Sequence, residues 1–455
     1  MTATLRPRSL RLELASQRRR AHNRARAIKA MQRRRAWHYG WPIGVLTIGM
    51  PVLFLLGMQG LAWALPCVGF GVAIVARPEM RLPKGAGWLM LLVGWTLLGG
   101  IQLRGAGTVM LFLYRWSLWV GAFACLMWLA NVPERLLPSE RVEAWLAALW
   151  ITMMALGTVA VFAPIDVASP TQHLLGSIGR VPFVDDISRW RMAEVQRVGN
   201  FLLPRPSAPF ARTNGWGAAT GLLMPFFIKV WLVKASGRRR IIGIGILALG
   251  LLPMAFSVNR GMLVSVAVAL GYLGVRRSLR GNVRALVTVL VGAAVVGVIL
   301  VTTPAAVVIQ DRLAKVEDSN DTRGDIYRLA FERSFDSPFI GHGAPRRIPN
   351  SPLPPIGTHG LIWYLMFVHG WPALIFFLMW LGGEVVRSAR IRAPDDWWAH
   401  LSLVIAGIQI VFYGLLPQII LIGIAAGLAR RNVARSQSAL SGADIDQVQQ
   451  EAAPA

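Results

Sequence analysis

Cysteine is nearly absent: Cys67 and Cys125 are the only two in 455 residues, and both lie inside apolar runs. That excludes a disulfide framework and a thiolate metal cluster. Acidic residues are also scarce, 22 against 48 Lys and Arg, and charged residues of both signs make up only 15% of the chain. Paired Asp or Glu at metal-ligand spacing do not stand out in the apolar runs, so no metal site and no cofactor are expected. No cleavable signal peptide is expected either, because the first 41 residues are basic and the first apolar run starts only at Pro42.

What the chain has in excess is apolar surface. Hydrophobic residues make up 55% and the mean hydropathy is +0.50, more than a soluble domain of this length carries. The expectation is an all-α polytopic membrane bundle with about twelve spans of ~20 residues. A net charge of +26 would suggest nucleic acid in a soluble protein. In a membrane protein the question is on which side the charge lies, and no nucleic-acid partner is expected. Apolar windows at 42–57, 60–76, 86–102, 108–130, 142–163, 215–233, 241–257, 261–275, 285–302, 362–386, 399–413 and 415–429 put the short basic loops on one side, as the positive-inside rule requires.

The resulting division is a basic tail or interfacial helix (1–41), five spans (42–163), a first outward loop (164–214), four spans (215–302), a second outward loop (303–361), three spans (362–429) and a disordered tail (430–455). Both termini are then cytoplasmic, although the last two windows also read as one helix bent at Gly414 and Pro417. The arginine triplets at 18–20 and 33–35, interleaved with Ile28 and Met31, suit an interfacial helix on anionic lipid.

Function is expected in the two long loops. The first ends with Arg205, Arg212 and Asn214 just before a span, either as interfacial anchors or as an anion cradle. Arg260 sits in a turn of only a few residues between two spans, where its guanidinium either snorkels or grips phosphate bidentately. In the second loop Arg323 and Tyr327 fall on a segment whose Ile326, Leu329, Ala330, Phe331 and Phe335 space out as an amphipathic helix closed by Pro338. His359 follows at the junction of loop and span, where an imidazole can take a proton from a hydroxyl. His342, in a glycine turn, and His369, deeper in the span, compete with it, and His359 ranks first. Arg115, within an apolar span, and Tyr364 are secondary candidates; Lys229, near the cytoplasmic end of its span, reads as a snorkelling residue.

The order of these motifs resembles the bacterial O-antigen ligase and polymerase family, polytopic glycosyltransferases of the WaaL/Wzy type. Four features carry the resemblance: Arg205 through Phe210 to Asn214; Asn259-Arg260-Gly261; Arg323 with Tyr327 and Ala330; and Pro338, Gly341 and Gly343 followed by His359 and Gly370. The sequence departs from the family where Gly360 follows the histidine in place of Asn, and where Asn259 precedes the turn arginine in place of Ser. The resemblance implies a GT-C-like, metal-independent transfer of glycan from a polyprenyl-diphosphate carrier to a glycan, lipid or protein acceptor at the outer face of the bacterial cytoplasmic membrane. His359 would act as base, and Arg205, Arg212, Asn214, Arg260, Arg323 and Tyr327 would hold the diphosphate. Membrane lipids are further partners; the alternatives are a Wzy-type polysaccharide polymerase of the same family and, from a different class, a secondary transporter or lipid flippase.

Overall fold

A computed structural model describes residues 30–451 apart from 32–33, 104, 199–200, 285, 288, 293, 295–315, 349–350, 352 and 392–395. The described chain is mostly helical. In order it has α1 (Arg34–Thr47), α2 (Met50–Leu56), α3 (Leu61–Val75), α4 (Gly87–Gln102), α5 (Ala106–Asn131), α6 (Ser139–Phe162), β1 (Asp166–Val167), α7 (Pro170–Leu175), α8 (Pro182–Ser188), β2 (Trp190–Arg191), β3 (Ala193–Val198) and β4 (Phe201–Pro206). Then come α9 (Thr213–Val233), α10 (Gly237–Ser257), α11 (Arg260–Ser278), α12 (Val316–Ser334), α13 (Leu361–His369), α14 (Trp371–Ser388), α15 (Trp398–Gln409) and α16 (Ile419–Glu451).

Among the described residues four helices, α5, α6, α9 and α10, are long and apolar enough to cross a bilayer, and the pair α1 and α2, bent by 52°, makes a fifth if it is one span. Helices α3, α4 and α15 are apolar but shorter. The apolar windows of the sequence coincide with these helices and with α11, α13, α14 and α16, except that 285–302 lies largely outside the described residues, as does most of the basic tail 1–41. Helix α16 lies along α5, α3 covers α5, α6 packs on α9 and α10, and α15 packs on α9. Outward-facing aliphatics such as Val68, Val72, Leu91, Ile101, Ile241 and Leu249 are left exposed on α3, α4 and α10. Apolar faces of that extent are stable against lipid rather than water. The chain is an integral membrane protein.

The structure corrects several local expectations. The window 362–386 is two helices rather than one span, broken at Gly370 with φ 82°. A Cβ at that glycine would collide with the carbonyl of Phe339. Past Arg435 the chain continues as helix to Glu451 instead of a disordered tail, since its Ala, Gln and Glu are adequate helix formers even without an apolar face. The first long loop is not plain loop: β1 pairs with β2 and β3 with β4, both antiparallel.

Lys229 does not snorkel. It is 2% exposed and its Nζ donates to Glu143 Oε1 at 2.6 Å, with Glu143 itself 1% exposed. The last turn of α9 widens into a π-helix over Ile228–Val233, and α6 packs beside α9, so the shortest route to a counter-charge is sideways into the bundle. Removing one partner strands a buried charge, at a cost of roughly 3–5 kcal/mol. Glu143→Gln is therefore expected to lower the thermal unfolding temperature of the detergent-solubilised protein sharply. The double variant Glu143→Leu, Lys229→Met should recover most of that loss, and a single variant as stable as wild type would contradict the pairing.

Candidate active site

The hairpin of β3 and β4 sets Glu194 opposite Arg205 and leads directly into α9. Glu194 Oε2 accepts the Thr213 backbone N–H at 3.0 Å, a carboxylate at the positive end of a helix. Thr213 Oγ1 donates back to the Arg205 carbonyl at 3.1 Å. The Arg205 guanidinium is half-buried; its Nε donates to the Ser257 carbonyl at 2.9 Å and its Nη1 to Gln196 Oε1 at 3.2 Å. Arg205 thus reaches from the hairpin to the end of α10, three residues before Arg260. Arg212 is held differently, donating to Asp186 at 2.9 and 3.2 Å and to Glu194 at 3.4 Å. Those carboxylates raise its pKa against the opposing effect of burial and compensate its charge. Asn214 is exposed one residue into α9.

The turn between α10 and α11 is as tight as its sequence suggests. Val258 takes φ 45°, a left-handed conformation that a β-branched residue adopts only under constraint. The constraint comes from the next residue. Asn259 is 4% exposed; its Oδ1 accepts from the Tyr413 hydroxyl, and its Nδ2 donates to the Thr213 carbonyl at 3.3 Å. A serine here would be too short to span both partners. Gly217 and Gly261 complete the fit, because a Cβ on either would run into Asn259 or Tyr413 respectively. Arg260 emerges exposed from this turn, and no hydrogen-bond or ion-pair partner for it exists among the described residues.

His359 stands on a turn between the second long loop and α13. Thr358 Oγ1 donates its one proton to the Pro355 carbonyl at 2.7 Å and lies 2.9 Å from His359 Nδ1. A hydroxyl whose proton is committed can only accept from its other neighbour, so Nδ1 carries the imidazole proton and Nε2 keeps the free lone pair. Gly360, at φ 73° and ψ 135°, occupies a region that only glycine enters readily. A Cβ there would overlap the Val411 carbonyl, which accounts for glycine in place of asparagine. Leu361 N–H then donates to the Ile410 carbonyl at 2.7 Å, seating the turn against the segment that carries Tyr413.

Arg323 and Tyr327 lie on α12, whose Ile326 and Ala330 are buried while Phe331 and Phe335 remain exposed beside Trp371. Tyr327 stacks on Trp363 of α13, 4.8 Å between centroids and 13° between planes. Arg323 is exposed, and its charge bears on His359, Tyr327 and Tyr413; that of Arg205 also bears on Tyr413. Tyr413 is the neighbour shared by two of the arginines. Burial, and then the Arg323 charge, hold the His359 pKa below its ordinary 6.5, so the imidazole is neutral at pH 7. The secondary candidates form a separate pair one turn further along α13: Arg115 stands over the Tyr364 ring at 5.5 Å, and the Tyr364 hydroxyl lies 3.3 Å from His369 Nε2. His342 is buried elsewhere in the loop, stacked on Phe367 at 4.3 Å.

These elements belong to a helical membrane protein and gather basic residues and an imidazole into a candidate site. Residues 244–378, a little under a third of the chain, match the family model for O-antigen ligase (Wzy_C). The matched stretch includes Arg260, Arg323, Tyr327, His342, His359 and Tyr364. Arg205, Arg212, Asn214, Arg115 and Tyr413 fall outside it. No curated protein matches the chain.

Sequence reading missed Tyr413, Thr358 and Glu194. Thr358 could have been found as a hydroxyl adjoining the histidine. Glu194 could have been found as one of the few acids in a basic loop. Tyr413 lies about 150 residues from its partner Asn259 and carries no local signal. The pKa of His359 has a direct check. Its imidazole ¹⁵N resonances should titrate with a midpoint below 6.5 and with Nδ1 protonated in the neutral form. Arg323→Gln removes one cause of the depression and should move the midpoint upward, whereas an unmoved midpoint would mean that the guanidinium does not act on the ring.

Proposed function

We propose that this protein is a membrane glycosyltransferase of the O-antigen ligase type. It moves a glycan from a polyprenyl-diphosphate carrier to an acceptor hydroxyl at the outer face of the cytoplasmic membrane. The observation that supports this reading is the His359 imidazole, its Nδ1 held by Thr358 and its Nε2 left for an acceptor, within reach of the Arg323 charge. In this reading the chain crosses the membrane about twelve times, both long loops face outward and both termini are cytoplasmic.

The chemistry follows from charge. Nε2 of His359 takes the acceptor O–H proton, the acceptor oxygen forms a bond to the anomeric carbon from the side opposite the carrier, and the bond to the diphosphate oxygen breaks with its electron pair. Negative charge then grows on the leaving diphosphate. Arg260, Arg323 and Arg205 stabilise that charge, as aimed charged donors do. Arg212, committed to Asp186 and Glu194, holds the hairpin against α9 and orients Arg205 and Asn214. Tyr327, stacked on Trp363, sets Arg323 over the His359 turn, and Arg115 with Tyr364 supports α13 from behind.

Purified protein supplied with lipid-linked glycan and acceptor should release polyprenyl diphosphate. His359→Ala should slow release by roughly 10²–10⁴-fold while donor binding persists; turnover at the wild-type rate would remove His359 as base. Arg260→Lys keeps the charge but loses the bidentate fork, and is expected to cost at least tenfold in turnover. The family description fits a polymerase equally well. Gene deletion separates the two, since a ligase defect accumulates full-length carrier-linked chains and a polymerase defect accumulates single units.

A further inference from the structure

A second recess lies apart from the arginines. A cavity of about 390 Å³ opens between the outer end of α4 and the loop after α12, with Gln102, Thr108, His342 and Arg346 as its polar lining. That volume is within the ~300–1,000 Å³ of small-ligand sites. His342 is 7% exposed and rigidly seated. Its backbone N–H and its Nδ1 both donate to the Phe367 carbonyl, at 3.0 and 3.1 Å, and its ring lies parallel to Phe367 within 7°. Gly341 and Gly343, at φ 67° and 71°, flank it, and a Cβ on either would strike the backbone of Val368 or Gly99. A carbonyl only accepts, so Nδ1 bears the proton and Nε2 is the atom left toward the cavity, with no partner among the described residues.

The chemistry of this lining selects its ligand. Burial and the nearby Arg346 hold the His342 pKa below its ordinary value, so Nε2 is a lone-pair acceptor. An acceptor repels a phosphate oxygen but takes a hydrogen bond from a hydroxyl. The Gln102 amide both donates and accepts, Thr108 contributes a hydroxyl, Arg346 donates, and among the described residues no carboxylate lines the cavity. A ring edged with hydroxyls satisfies donors and acceptors together. Arg346 also pairs through its backbone with Ile356, at 2.8 and 3.3 Å, three residues before His359, so the cavity wall and the imidazole turn are one piece of chain.

We propose that this cavity is a carbohydrate subsite that holds a pyranose unit of the glycan by its hydroxyls, distinct from the arginines that face the diphosphate. The proposal rests on the transferase reading above. Its test uses full-length protein in nanodiscs and, as probe, the oligosaccharide freed by mild acid from the cell's own carrier-linked glycan. Gln102→Leu and His342→Phe, the latter keeping the stacked ring, should each weaken binding of the probe at least fivefold by saturation-transfer NMR. In turnover assays the KM for one substrate should rise by a similar factor: a rise for the lipid-linked glycan assigns the subsite to the donor, a rise for the acceptor to the acceptor. Should His342→Phe fail to fold, Gln102→Leu and Thr108→Val decide the matter. Probe binding that is absent in wild type, or equal in wild type and variants, overturns the subsite even if transfer is observed. Probe binding that is lost in the variants of a protein showing no transfer keeps the subsite and overturns the transferase reading.

Discussion

One buried amide joins the parts of the site. Asn259 accepts from the Tyr413 hydroxyl and donates to the Thr213 carbonyl, and so ties the α10–α11 turn to the start of α9 and to the segment between α15 and α16. Each of those segments brings something with it. Thr213 holds the Arg205 strand, the turn aims Arg260, and the segment before Tyr413 receives the His359 turn through Ile410. In a low-dielectric interior a polar group left without its partner costs more than the bond itself contributes in water. The network is therefore under pressure to remain complete, and glycine at 217 and 261 is what lets it close.

Several cations away from His359 are committed to buried partners: Lys229 to Glu143, Arg430 and Arg387 to Glu384, and Arg431 to the carbonyls of Leu129, Val132 and Leu137, where it caps the end of α5. Near His359, Arg260 and Arg323 stand exposed. Exposed guanidiniums of that kind are what the proposed diphosphate site draws on.

The helices were legible in the sequence because lipid imposes length and apolarity on every crossing, and the windows from 42 to 275 fell on helices for that reason. Breaks were harder to read. Gly370 looks like any glycine in a span, and what requires glycine there is a φ of 82° with the Phe339 carbonyl packed where a Cβ would stand. The arginines and His359 stood out as charge at the edge of apolar runs. Their partners did not, because the pairing of Asn259 with Tyr413, or of Arg205 with Ser257, is set by how distant helices meet. Lys229 was misread for the same reason: its counter-ion sits 86 positions earlier on a helix whose proximity no local pattern reveals.

The hydrogen-bond chain behind His359 runs from Nδ1 to Thr358 and ends at the Pro355 carbonyl, an atom with no proton to pass on. An imidazole backed by such a dead end has no rear exit for what it captures. In the transfer proposed above, a loaded Nε2 discharges through the opening by which the acceptor enters, so the base is reset only after the extended product has moved out of the way. Water then returns to the mouth, and departure of product and recovery of the base become a single event.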